Sequence, residues 1–164
     1  MYAIDDGFVV KSKNSERFVV DDLLVKKPKS AAAEVSAKKG TRELNLGGNL
    51  VDQVEWLPDS IGKLLGLLSL DLSENQLVTL PPTIGGLSSL TKLDLHSNRI
   101  VEVPDSIGEL LNLVSLDLAG NQLSRLPSSI GRLVRLEDLN LSSNQFVLLL
   151  DAIGSLVSLK SLIC

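Results

Sequence analysis

Beyond Thr41 the chain repeats one pattern of apolar and polar positions. In "LLSLDLSENQLVTLPPTIGGLSS", residues 67–89, apolar side chains hold 67, 70, 72, 77, 80, 84 and 87. "LTKLDLHSNRIVEVPDSIGELLN" (90–112), "LVSLDLAGNQLSRLPSSIGRLVR" (113–135) and "LEDLNLSSNQFVLLLDAIGSLVS" (136–158) keep that register without a gap. The alternation Leu70–Asp71–Leu72 has period two, which predicts a short strand with its leucines on one side and Asp71 on the other. The later apolar positions reach the same interior only if the chain winds round into a coil. One coil cannot bury those side chains alone; stacked coils bury them against each other.

Three further columns fix the reading. Asn75, Asn98, Asn121 and Asn144, with Asn49 upstream, stand where each strand ends, and an amide there pairs with backbone groups of the next coil. Proline at 81, 104 and 127 stops a ladder and opens an extended or 3₁₀ return. Glycine at 85, 108, 131 and 154 is expected to allow a tight bend. The pattern L-x-x-L-x-L-x-x-N-x-L at this period is the leucine-rich-repeat signature. It predicts an α/β-type solenoid with short parallel strands on the concave face and irregular or 3₁₀ convex returns. A stretched copy fills 41–66, the four regular copies run to 158, and 159–164 open a partial one. Leu150 stands where the other copies carry proline.

The region before the repeats reads differently. Residues 1–29 hold two "FVV" clusters around a polar segment, read as a flexible N-terminal arm, with a hairpin as the alternative. Residues 30–40 read as a short capping or linker helix, with Ser30 as N-cap, alanines behind it and Gly40 just past its end. Trp56 falls in the three-residue expansion of the first copy, either filling the longer loop or standing out as an anchor.

Composition narrows the function. Hydrophobic residues make up 44% and aromatic ones 3%, so leucine, isoleucine and valine must fill the core. Residues 1–40 carry eight Lys or Arg against six Asp or Glu, whereas 41–164 carry eight against fourteen. A net charge of −4 gives no reason to expect nucleic-acid binding. No apolar run approaches the roughly 18 residues of a membrane span, and the first residues lack a signal-peptide layout. With Cys164 the only cysteine, an internal disulfide is excluded, and a cytoplasmic setting is expected. One histidine and one cysteine cannot assemble a zinc site of the usual composition. "SIGKL" around Lys63 lacks the rest of a phosphate loop, so neither catalysis nor a cofactor is expected.

The positions left free by the repeat are then the ones that carry function. Flanking the interior leucines, the third slot reads Glu43, Ser69, Lys92, Ser115 and Asp138. The fifth reads Asn45, Asp71, Asp94, Asp117 and Asn140, and the seventh includes Ser73, His96 and Ser142. Adjacent strands lie about 4.8 Å apart, so three successive aspartates repel, and a basic partner surface would relieve that repulsion. Two other readings of this face are a solvated acidic surface and a structural role for the column.

Residues 34–162 resemble the plant intracellular Ras-group-related leucine-rich repeat proteins. "EVSAKKGTRELNL", "DQVEWLPDSIGKL" and "LDLHSNRI" carry the likeness, with the returns "LPPTIGGL", "VPDSIGEL" and "LPSSIGRL". Members of that family carry more repeats, a longer leader and a Gly-Val-Tyr-Trp motif, so this chain is expected to be the N-terminal part of such a repeat domain. The resemblance implies a non-catalytic protein-interaction module in intracellular signalling, with a small GTPase or its regulator as partner, and a link to plant development. Alternatives are a repeat fragment of a cytoplasmic immune receptor, against which the uniform repeat length argues, and a truncated product without a function of its own. The uncovered last copy is expected to self-associate end to end.

Overall fold

The computed structural model describes residues 7–11, 18–20, 23–25, 34–38, 42–48, 54–57, 59–147 and 153–164. Six three-residue strands form a parallel sheet in chain order: β5 (Glu43–Asn45), β6 (Ser69–Asp71), β7 (Lys92–Asp94), β8 (Ser115–Asp117), β9 (Asp138–Asn140) and β10 (Ser161–Ile163). The central leucine of β5 to β9 points inward: Leu44, Leu70, Leu93, Leu116 and Leu139 are at most 1% exposed. Pairing continues past the strands, with the Leu72, Leu95 and Leu118 amides donating to the carbonyls of Asp94, Asp117 and Asn140.

Each coil returns through a 3₁₀ turn: η1 (Asp59–Lys63), η2 (Pro82–Gly86), η3 (Asp105–Glu109) and η4 (Ser128–Arg132). Pro81, Pro104 and Pro127 stand before the last three in extended conformation, as a residue without an N–H should. Their carbonyls accept from Ile84, Ile107 and Ile130, whose side chains are fully buried. The core is a column of such leucines and isoleucines, each contributing about 1.5–3 kcal/mol relative to exposure.

The asparagine column ties coil to coil. Asn98 donates through Nδ2 to the carbonyls of Leu72, Leu95 and His96, and its Oδ1 accepts from the Leu77 amide at 3.0 Å. Asn75 does the same one coil earlier, and Asn121 and Asn144 one and two coils later. Asn49 lies outside the described residues. Gly62, Gly85 and Gly108 in the returns act through space rather than through a bend. A Cβ on Gly85 would stand 2.7 Å from the Ser106 carbonyl oxygen, and those on Gly62 and Gly108 would strike the Thr83 and Ser129 carbonyls. Removing the side chain lets neighbouring returns touch. Positive φ occurs elsewhere, just before the asparagines, at Glu74, Ser97, Gly120 and Ser143.

In the leader the two FVV segments pair antiparallel, as the hairpin alternative has it, and a strand stands within the span expected as a helix. β1 (Gly7–Lys11), β2 (Phe18–Val20), β3 (Leu23–Val25) and β4 (Glu34–Lys38) form an antiparallel sheet in the order β3-β2-β1-β4. β4 occupies the centre of the expected helix, its register pairing Val10 with Val35. A helix this short is marginal in water. The alternation in "EVSAK" suits a strand, and the β-branched run of β1 supplies a partner. The expected N-cap at Ser30 and the stop at Gly40 lie outside the described residues, as does the prolineless return at Leu150.

Candidate functional site: the concave sheet face

Strand register sets Asp71, Asp94, Asp117 and Asn140 side by side. Flanking them, Glu43, Lys92 and Asp138 are exposed, while Ser69 and Ser115 are half-buried. Asn45 is exposed at the first strand, and His96 and Ser142 are half-buried beyond the strand ends. Ser73 departs from expectation: it is only 8% exposed, because its hydroxyl turns back and donates to Asp71 Oδ1 at 2.6 Å. All but Ser73 of the residues expected on this face present surface there.

The aspartate column also has a structural task. The Oδ1 atoms of Asp71, Asp94 and Asp117 accept from the backbone N–H two residues on, at Ser73 (3.0 Å), His96 (3.2 Å) and Ala119 (2.9 Å). Asn45 and Asn140 make the same bond to Gly47 and Ser142. A short acceptor side chain is therefore required where the strand ends, and asparagine meets that need as well as aspartate. Each carboxylate also has a side-chain donor against it: the Ser73 hydroxyl, the His96 ring, and for Asp117 the Asn140 amide at 3.1 Å. These donors soften the repulsion along the column, a relief that the residue pattern alone assigned to a partner.

His96 is the centre of the charge arrangement. Its Nδ1 lies 2.7 Å from Asp94 Oδ1, and its Nε2 lies 3.8 Å from Glu74 Oε1. One ring nitrogen of His96 and one oxygen each of Asp94 and Asp117 fall within 4.8 Å of one another. Burial pulls the imidazole pKa down, but the hydrogen bond to Asp94 and the fields of Asp94, Asp117 and Glu74 outweigh it and hold it above 6.5. Glu74 does not stand out in the sequence pattern, because it follows the strand rather than lying on it. Its positive φ of 53° is the turn at which it comes within reach of His96.

Other surfaces are less organised. Trp56 is 36% exposed, and residues 49–53 of the loop before it lie outside the described residues. Two shallow convex grooves, of about 300 and 660 Å³, are lined among others by Asp105 and Arg125, and by Lys63 and Glu109. Neither contains a histidine or cysteine. Among the described residues, no helix is long and apolar enough to cross a membrane.

Residues 39–100 and 88–146 match the leucine rich repeat family. Over 99 residues the chain is 55% identical to Plant intracellular Ras-group-related LRR protein 4 of Arabidopsis thaliana, a match taking in 48% of this chain and 18% of that protein. The rice protein of the same name (Oryza sativa subsp. japonica) is 71% identical over 45 residues, 27% of this chain and 8% of its own length. The matched stretch thus spans less than a fifth of either relative. A leucine-rich-repeat protein of Leptospira interrogans superposes with a TM-score of 0.71 at 34% identity, covering 76% of this chain and 37% of that one. An internalin of Listeria monocytogenes gives 0.64 at 26% identity, covering 76% and 35%.

Proposed function

Because the chain belongs to the leucine-rich-repeat family, we propose that its concave face docks a basic protein partner and that it serves as a non-catalytic interaction module in intracellular signalling. The observation that carries this is the charge of that face. Glu43, Asp71, Glu74, Asp94, Asp117 and Asp138 gather on or beside the sheet, against Lys92. Complementary charge speeds encounter and rejects wrong partners. Similarity to relatives named intracellular and Ras-group-related supports a cytoplasmic setting in plant cells, with a Ras-type small GTPase or its regulator as partner.

The test must remove charge without removing the strand-end hydrogen bonds. Lysine at 71, 94 and 117 would do both, whereas asparagine keeps the acceptor that Asn45 and Asn140 already supply. The protein is immobilised and offered purified Ras-type small GTPases in both nucleotide states. Wild type is expected to retain at least one, and the Asp71→Asn, Asp94→Asn, Asp117→Asn variant to bind about tenfold more weakly or worse. Equal retention by the folded triple variant would contradict the proposal.

A further inference from the structure

His96 sits at the middle of the acidic face with one ring nitrogen engaged and the other turned towards a carboxylate. An ionised carboxylate is acceptor-only, so Nδ1 carries the proton in the 2.7 Å contact with Asp94. Nε2 is then the atom that gains or loses a proton, and it lies 3.8 Å from Glu74 Oε1. The surrounding charges come from three directions. The β6 side brings Asp71 and Glu74, the β8 side brings Asp117 opposite a neutral Ala119, and β7 itself brings Asp94 and Lys92. The imidazole is half-buried, so it meets the face without being sealed beneath it.

We infer that His96 is a proton-operated charge switch for docking: with Nε2 protonated the face gains one positive charge, and a basic partner binds less tightly than when the ring is neutral. The inference rests on the docking reading above and adds its regulation. A cation seated beside Asp94 and Asp117 disfavours the imidazolium by like-charge repulsion, so docking expels the proton. By reciprocity, removing the proton first strengthens docking. Affinity for a basic partner should therefore rise as pH rises through the neutral range. The partner's lysines stay charged throughout that range, so they give no trend of this kind.

N-acetylated octalysine serves as the probe, its affinity measured by calorimetry at pH 6 and pH 8 for wild type and His96→Gln. Wild type should bind roughly threefold to tenfold more tightly at pH 8, as a half to a full unit of proton linkage requires. His96→Gln should bind equally at both. A flat wild type, or a variant with the wild-type trend, overturns the switch while leaving docking intact. No binding by either protein at either pH overturns docking and the switch together. A second measurement needs no variant: the ring-proton NMR signal of the single histidine, titrated with and without saturating octalysine. Its midpoint should lie above 6.5 in the free protein and fall when the peptide is bound. An unchanged midpoint with peptide bound overturns the inference.

Discussion

The Oδ1 atom of Asp94 accepts from both the backbone and the ring of His96, so a change at 94 alters the strand exit and the surface charge together. Asp94→Asn should leave the melting temperature nearly unchanged, whereas Asp94→Ala should cost about 0.5–2 kcal/mol, as loss of a short capping acceptor does elsewhere. The buried amides matter more. Asn98→Ala strands several interior backbone groups and should cost about 1–3 kcal/mol, read by denaturant unfolding. Ser115→Ala, on the half-buried outer side of β8, should stay within about 0.5 kcal/mol. His96 adds a pH term whose sign follows from its raised folded-state pKa. The imidazolium stabilises the fold fully below the unfolded value of 6.5, and that contribution is lost as pH rises through the higher folded one. Melting curves of wild type and His96→Gln should therefore converge as pH climbs from 6 towards 8.5. The asparagine and leucine roles were legible because they recur in fixed register. The partners of Asp71, Asp94 and Asp117 were not, since a bond to the second residue onward follows from the strand-exit geometry, not from residue type.

Stacked 3₁₀ returns depend on what their glycines leave out. Gly108→Ala would push a methyl group into the Ser129 carbonyl one coil on, and should cost about 1–3 kcal/mol through overpacking. Gly66→Ala meets nothing within 4 Å and should be neutral or slightly stabilising. Equal losses at both sites would show that the returns do not touch as described. Gly120 is a different case, with φ at +65° before Asn121, where Gly120→Val should cost about 1–2 kcal/mol. The returns are legible in the proline and isoleucine spacing, whereas the spacing role of glycine is not, because inter-coil distance leaves no trace in one coil's sequence. The leader was harder. Its strands are three to five residues long, and what decides strand over helix at Glu34–Lys38 is a partner strand far upstream.

Across the whole molecule the two ends of the parallel sheet differ. Leu44 in β5 is 1% exposed, whereas Leu162 and Ile163 in β10 are 41% and 51% exposed. An edge strand with uncovered apolar side chains favours pairing with another copy. We expect the 164-residue chain to self-associate at micromolar concentration by sedimentation, and Leu162→Lys to shift it towards monomer. A wild-type monomer would refute this. Between those ends lies the face with its acidic column, and three of its amides report on partner docking directly. Ser73, His96 and Ala119 each donate their backbone N–H to one of the aspartates. Proton–nitrogen NMR of the labelled protein during titration with octalysine at pH 8 follows all three. These three signals should move first and furthest, while the Ile84, Ile107 and Ile130 amides of the convex returns stay in place. Shifts concentrated on the convex returns, with Ser73, His96 and Ala119 unmoved, would contradict docking on this face.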